Sequence, residues 1–488
     1  MNITVNLEVD NIPAGNNFEE IENWVYGICM EAGRAGISQI LERLDLEVMA
    51  QRDTGRYRNR GKRRTSIKTR LGVVEYDRRV YQDLADESHH CVYLLDQMME
   101  TSRIGQISAS VCRIMASEIC TGSYRTVSKN VEETTGLSIS PMGVWSVIQK
   151  MGQKEKARIE RHTELAKMDS SVGDIETKIL YEEADGVWLK LQGESRKDHG
   201  ESKEMKIAIA YDGVQWKINS KGQKRRSLDC KTAYASFDSA DTFRQHNEGV
   251  IESRFLVDAI KLRVKNGDGA SWIHAIQAHE DVKTIRVLDE FHRNKKLLEC
   301  CQDKDFAKNI RDLLYEKRID DALECIEAQI NSVDDGKEKE NLQVLFSYYS
   351  ENKEYLLGYY DRGIEIPETR SPEIHHARLG SMESNVFTLI GDRMKDNRCC
   401  WSINGGNNLA LILSLYHTTG FESLFVEPIP IPDEEPDYIA TGEILKSWEN
   451  PERIGHGYEY YNRGSISVEY HEMSSSLQHV DISVSKFI

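Results

Sequence analysis

Three acids sit in settings suited to holding a divalent cation: Asp185 in EEADG, Asp268 in NGDGA and Glu383 in GSMESN. Enzymes that break and join phosphodiester bonds on DNA need two such cations about 3.5–4 Å apart, one at the attacking oxygen and one at the leaving oxygen. Mg²⁺ is a hard ion that prefers oxygen ligands, so carboxylates build these sites. The carboxylates must come from rigid elements. Asp185 is expected at the end of a first strand, Asp268 at the end of a later one, and Glu383 at the start of a helix. Gly267 and Gly269 are expected to leave space for a metal or phosphate close to the backbone. The acids are 83 and 115 residues apart, so only a tertiary fold could unite them. Each also has a plainer reading. Asp–Gly and NGDG are turn chemistry, and a carboxylate at a helix start can serve the macrodipole alone.

Asp289 and His292, in LDEFHRNK, form a DxxH pair just beyond another expected strand. The imidazole could position a phosphate, orient a catalytic carboxylate, or simply be satisfied by Asp289. His375 and His376 lack a partner pattern and read as loop. In the helix after Glu383, Arg393, Lys395 and Arg398 could contact a DNA backbone or form a solvated face. Trp401 could stack on a base, with core packing as the alternative.

The elements needed to position these groups are legible as changes of period. Residues 18–50 read as a helix with Ile37, Ile40, Leu41 and Leu44 on one face. Val74, Tyr76 and Arg78 alternate with Glu75 and Asp77, which predicts a short strand within 71–83. Residues 123–152 have helix–turn–helix logic: Val127 and Val131 face inward, Gly136 ends the first helix, and Ser138 or Ser140 caps a second that starts near Pro141. Any helical hairpin would share that pattern. From 177 the period is strand-like, with strands expected at 178–193, 204–217 and 227–237. A helix at 241–260, a strand at 261–273, another helix and a strand at 283–295 follow. That is the order of an α/β RNase H-like core. Residues 296–366 are helical, with stripes at Phe306, Ile310, Leu313 and Leu314, at Leu323, Ile326 and Ile330, and at Leu342, Leu345 and Tyr349. A stretch this long is an inserted all-α subdomain and not a loop.

The expected organisation is therefore an N-terminal helix plus basic region (1–100), a helix–turn–helix region with linker helix (101–176), and the first part of the core (177–295). The helical insertion (296–366), the last part of the core with the Glu383 helix (367–425) and a proline-rich tail (426–488) complete it. The region before the core is expected to be mainly helical.

Charge separates the function classes. The 488-residue chain carries a net charge of −17, which argues against a protein that coats nucleic acid. Yet residues 52–70 hold nine Lys/Arg against one Asp. Arg56, Arg58, Arg60, Lys62, Arg63, Arg64, Lys68 and Arg70 in that stretch, with Arg125 in the first helix of the helical pair, are candidate DNA contacts. The ten cysteines show no CxxC or CxxH spacing and read as reduced thiols, mostly small core residues, in a cytoplasmic protein. No apolar run of membrane length and no secretory leader is expected.

Taken in order, RYRNRGKRRTSIKTRLGVVEYDRRVY, SYRTVSKNVEETTG, EADGVWLKLQ, NGDGASWI, LDEFHRNK and GSMESN…DRMK…WSINGG resemble the DDE transposases of a bacterial insertion-sequence family (ISLre-type), related to Mutator-like transposases. The resemblance covers most of the chain. It implies an RNase H-like core, dependence on Mg²⁺ or Mn²⁺ with two ions per site, and Asp185, Asp268 and Glu383 as the metal-binding catalytic triad. It further implies that Asp289 and His292 match the C/DxxH signature of the Mutator-like group. The implied partners are terminal inverted repeats and target DNA, with a dimer or larger assembly on DNA. Two other readings compete: a transposon-derived DNA-binding regulator without catalysis, and an RNase H-like nuclease or resolvase that never joins ends.

Overall fold

The computed structural model describes residues 17–86, 90–99, 103–104, 106–168, 172–218, 220–274, 282–395 and 399–426. The proline-rich tail from residue 427 onward and Arg398 lie outside these residues. The described residues fall into two compact units that divide at Lys154/Glu155 and at Phe421/Glu422. No helix among them is long and apolar enough to cross a membrane.

The first unit opens with α1 (Phe18–Gln51), whose first free backbone amides are met by the Asn17 side chain. Leu41 is buried on its inner face with Ile37 and Leu44 partly so, whereas Ile40 is turned out to solvent. The basic stretch is not helical. It forms β1 (Tyr57–Thr69), which turns at Gly72 and pairs antiparallel with β2 (Gly72–Asp83). Short strands β3 (Cys91–Val92), β4 (Arg103–Ile104) and β5 (Ile107–Ser108) complete a sheet of order β3-β2-β1-β5-β4. The region before the core is mainly helical, as expected, with its basic stretch placed in this sheet. Val74 and Tyr76 bury one face of β2 against α1, and β1 is held by main-chain pairing while all its cations but Lys68 stay outside. Buried Asp45 on α1 ion-pairs with buried Arg79 on β2 and locks helix to sheet.

Four helices follow in this unit. They are α2 (Leu94–Met98), α3 (Ala109–Glu118), α4 (Tyr124–Thr135) and the start of α5 (Pro141–Lys167). Gly136 ends α4 at φ 66°, a left-handed turn that costs glycine nothing. Ser140 accepts from the Gly143 amide at 3.1 Å and starts α5 around Pro141. Val127, Val131, Val144, Val147, Ile148 and Met151 are buried, as the helical spacing predicts.

The second unit is built on a five-stranded sheet. Its strands are β6 (Ile179–Lys190), β7 (Ser202–Tyr211), β10 (Thr232–Ser236), β11 (Leu262–Gly267) and β12 (Lys283–Leu288), in the order β10-β7-β6-β11-β12. The first three pair antiparallel; β11 and β12 join parallel to β6. Parallel strands lie covered on both faces. Val264 and Leu262 are accordingly buried, and so is Arg263, whose guanidinium is compensated by Glu182 (2.6 Å) and Glu248 (2.7 Å). Short α6 (Gly193–His199) joins β6 to β7, and α7 (Ala240–Glu252) leads from β10 toward β11. The strands expected at 204–217 and 227–237 are each split. A two-stranded ribbon, β8 (Gly213–Ile218) with β9 (Lys224–Asp229), leaves the sheet between β7 and β10.

After β11 comes α8 (Ser271–His274), and after β12 four helices: α9 (Glu290–Cys300), α10 (Lys304–Tyr315), α11 (Ile319–Ser332) and α12 (Gly336–Glu351). They close around Leu297, Ile310, Ile326, Leu345 and Tyr349. The chain then reaches α13 (Met382–Val386), which continues as a π-helix over Phe387–Lys395. Next come α14 (Ile403–Tyr416), which lies against β10, and α15 (Ser423–Val426) in the first unit. None of the ten cysteines is in a disulfide; Cys112, Cys120 and Cys300 are buried, whereas Cys29 and Cys91 are exposed. The thiols are therefore less uniformly core than expected.

Candidate active site

Strands β6, β11 and β12 run in the same direction, and the carboxyl ends of β11 and β12 lie beside the middle of β6, where the sheet changes from antiparallel to parallel pairing. Crevices at such points are where open α/β sheets bind ligands. Asp185 does not end its strand, as expected, but sits in the middle of β6. Its parallel pairing with β11 stops at Glu183–Asn266, while the antiparallel pairing with β7 carries the strand on to Lys190. Asp185 is thus the first inward-facing side chain on β6 beyond the point where the neighbouring strand departs.

Asp185, His292 and Glu383 offer ligand atoms that all lie within 4.8 Å of one another. His292 reaches both ways. Its Nε2 is 3.9 Å from Asp185 and its Nδ1 is 3.2 Å from Asp289. Asp289 caps α9 through the His292 amide at 3.1 Å, so one side chain sets both the helix start and the ring. Its hydrogen bond to Asp289 holds the His292 imidazole above its usual range, with burial opposing. Asp289 feels burial pushing it up, but hydrogen bonds from His292 and Asn266 outweigh that and hold it below the carboxylate range.

Asp268 follows β11 and stands outside that 4.8 Å group. Its carboxylate accepts from the Ala270 amide at 2.8 Å, the turn role that NGDG also suggested. Its charge nevertheless acts on both Asp185 and His292. The two glycines beside it serve a different purpose from the one expected. A Cβ on Gly267 would stand 2.5 Å from Ile273, and Gly269 has φ +94°. The first admits a packed side chain and the second a left-handed turn. The Tyr348 hydroxyl on α12 donates to the Asp268 carbonyl at 2.9 Å and steadies the turn.

Burial, reinforced by the charges of Asp268 and Glu383, raises the Asp185 carboxyl to about 6. The sign of the consequence is fixed. Between pH about 4 and 6 the folded chain binds the proton more tightly than the unfolded chain, so stability falls as pH rises through that window. A divalent cation in the cluster would remove the penalty. In chelator-treated protein, added Mn²⁺ is expected to raise the melting temperature above pH 6. The effect should fade below it, with apparent affinity falling about tenfold per pH unit. A cation-induced shift equal at pH 5 and pH 7.5 would refute this.

A second carboxylate organises the surroundings. Glu183, one residue pair inside β6, is buried. It accepts from the Tyr211 hydroxyl (2.5 Å), the Gly380 and Ser381 amides (2.8 and 2.9 Å) and the Asn266 side chain (3.1 Å). Gly380 and Ser381 lead directly into the Glu383 helix. Asn266 also donates to Asp289 at 2.9 Å. Burial raises the Glu183 carboxyl despite these donors. Both residues are hidden in plain sight in EEADG and NGDG. The available signal is that an acid inside a strand covered on both faces must be paired.

The remaining sequence candidates separate. Arg58, Arg60, Lys62 and Arg63 are exposed along β1, and Arg70 in the turn that follows it. Arg56 pairs with Asp83 at 2.8 Å and Arg64 with Glu75, and burial pulls the half-buried Lys68 ammonium below its usual range. Arg56 and Arg64 are thus engaged in the hairpin itself, and Lys68 is partly covered. Arg125 is exposed on α4 and Lys395 on the π-helix, whereas Arg393 is half-buried with its guanidinium 5.4 Å from the Trp401 ring centre. Trp401 is buried and donates to the Met394 carbonyl at 2.8 Å, so it packs and does not stack on a base. His376 is partnered after all, by the Tyr181 hydroxyl at 2.9 Å.

A family model described as "Uncharacterised protein family (UPF0236)" matches residues 12–423. The chain belongs to this family. Among curated proteins, a UPF0236 protein of Caldanaerobacter subterraneus subsp. tengcongensis is 25% identical over 405 residues, covering 82% of this chain and 78% of the relative. A UPF0236 protein of Streptococcus gallolyticus, from the vanSb 3′ region, is 22% identical over 442 residues, 88% of this chain and 89% of its own length. Among solved structures, the Drosophila P element transposase strand transfer complex aligns over 74% of this chain and 86% of that one, at 10% identity and a TM-score of 0.20. That score is too low to bear on fold or reaction. For this UPF0236 chain the match takes in all three acids and the DxxH pair, so the site is not in a segment peculiar to it.

Proposed function

We propose that this chain is a DDE-type DNA transposase with an RNase H-like core interrupted by the α9–α12 helices. The observation that carries the reading is the convergence of Asp185, His292 and Glu383 within 4.8 Å from three distant parts of the chain, with Asp268 acting on the same acid. The sheet strands and helices follow one another along the chain as the sequence suggests for such a core: three strands, helix, strand, helix, strand. The Caldanaerobacter relative is named for eleven gene loci, a copy pattern that a self-mobilising sequence would leave.

Asp185, Asp268 and Glu383 would hold Mg²⁺ or Mn²⁺; an imidazole among the ligand atoms makes Mn²⁺ the more tolerant choice. Bound there, such ions supply Lewis-acid stabilisation of the phosphorane-like oxygens and lower the pKa of the attacking group. Asp289 fixes the His292 ring, and His292 orients Asp185. Glu383, exposed at the start of its helix, faces the incoming DNA. The exposed cations of β1 and of α4 hold the transposon end, the α4–α5 pair acting as a helix–turn–helix. Water attacks the phosphodiester, the P–O3′ bond breaks, and a 5′-phosphate and a free 3′-hydroxyl result; that hydroxyl then attacks a target phosphodiester and displaces the target's own 3′-oxygen as a hydroxyl. Positioning and charge neutralisation do the catalysis.

The test is cleavage of a labelled oligonucleotide bearing the element's own end, with Mg²⁺, Mn²⁺ or chelator. Cleavage with either ion and none with chelator supports the reading, and joined products on added target DNA separate a transposase from a nuclease. End binding with no cleavage under any ion would instead favour a DNA-binding regulator.

A further inference from the structure

The β8–β9 ribbon stands outside everything assigned above. Residues 213–228 carry five cations, Lys217, Lys221, Lys224, Arg225 and Arg226, and no acid, in a chain whose net charge is −17. Trp216 and Ile218 beside them are 56% and 70% exposed. Lys217, Lys224 and Arg225 are exposed and form no ion pair among the described residues. Lys217 stands directly opposite Arg225 across the ribbon. Like charges in that position repel and weaken a hairpin. A pair that opposes its own fold, beside an exposed tryptophan, is what a polyanion would relieve.

The base of the ribbon is clamped to the segment that delivers Glu383. Val214 and His375 exchange two backbone hydrogen bonds of 2.9 and 2.8 Å. Arg370 pairs with Asp212 at 2.8 Å and with Asp229. Arg226 donates to Ser381 Oγ at 3.1 Å and to the Arg378 carbonyl.

We propose that the β8–β9 ribbon is a DNA-gripping element: Lys217, Lys224 and Arg225 contact backbone phosphates of duplex DNA beside the candidate active site, and Trp216 packs against the sugar–base edge. A two-stranded ribbon fits the major groove, which is about 12 Å wide. The proposal rests on the reading of the site as DNA-processing only for the choice of polyanion. Arg226 is already engaged by the Ser381 segment, so it couples the grip to Glu383 and is not counted as a phosphate contact.

The test uses the full chain and a fluorescent 30-base-pair duplex, titrated from 50 to 200 mM salt. The K217Q/K224Q/R225Q triple variant should flatten the slope of log affinity against log salt by up to about 2.7, at about 0.9 per phosphate contact. Its melting temperature should not fall, because the three side chains are exposed. Trp216→Ala should weaken binding with the slope unchanged. Unchanged affinity and slope in the triple variant overturn the proposal. So does an equal loss in K304Q/K308Q/K337Q, which removes three exposed cations from α10 and α12. Tighter binding to vesicles of anionic lipid than to the duplex, lost in the triple variant, would assign the surface to a membrane and also overturn it. A wild-type slope that flattens in the triple variant, without metal-dependent cleavage, leaves the ribbon standing and removes the transposase. Cleavage with an unchanged slope does the reverse.

Discussion

Asp185→Asn is expected to lower metal-dependent cleavage by about 10³-fold, roughly 4 kcal/mol of barrier, while end binding stays within about twofold. The substitution is nearly isosteric, and among the described residues Asp185 accepts only from its neighbouring Gly186 amide, at 2.7 Å. An asparagine carbonyl can take that bond. What it cannot supply is a charge at the point where His292 and Glu383 converge. Burial already disfavours that charge in the free chain. The variant should therefore unfold at a slightly higher temperature than wild type above pH 6 without cation, and Mn²⁺ should no longer raise that temperature. Single-turnover cleavage beside a melting curve measures both. Wild-type cleavage by the variant would remove Asp185 from the site.

Glu183→Ala should be nearly as damaging for a different reason. It leaves the Gly380 and Ser381 amides, the Asn266 amide group and the Tyr211 hydroxyl without their acceptor. Unpaired buried donors cost about 1–3 kcal/mol each when they cannot relax, so for these four a loss of at least about 4 kcal/mol is expected. The segment that fixes the start of the Glu383 helix loses its tether, and cleavage should fall about 100-fold in kcat with little change in KM. Glu183→Gln separates tether from charge. Its carbonyl can face Gly380, Ser381 and Asn266, and its amide can donate to Tyr211, whose hydroxyl then accepts. Activity within about tenfold of wild type is expected for Gln. A purely structural lesion in the Ala variant would be cured by assay well below its melting temperature. A positioning lesion persists there, and full recovery in the cold would refute the positioning role.

Much of the positioning apparatus was readable because period and turn chemistry are local. The switch from helical to alternating spacing at 177, the strand before NGDG, the strand before LDEFH and the helical stripes of 304–349 all recur in the structure. So does the Gly136 turn before Pro141. What failed was non-local in each case. The basic stretch carried no strand signal because its own residues are polar, yet it forms β1 through pairing with β2. Asp185 looked like a strand end because Asp–Gly is a turn signal; β7 supplies the partner that carries the strand through it. The ribbon was folded into its flanking strands because period 2 does not record which partner a strand chooses.

The sequence by itself determined the types and spacing of Asp185, Asp268, Asp289, His292 and Glu383, and the elements that carry them, because hydrophobic period and capping act within a few residues. Only the tertiary structure decided which of these groups meet. It put His292 between Asp185 and Asp289, left Asp268 one step outside, and made Glu183 and Asn266 the buried links between strands and the Glu383 segment. The physical reason is that strand order fixes distances across a sheet, while the sequence fixes only distances along it. A carboxylate's neighbours, and so its charge state, belong to the first.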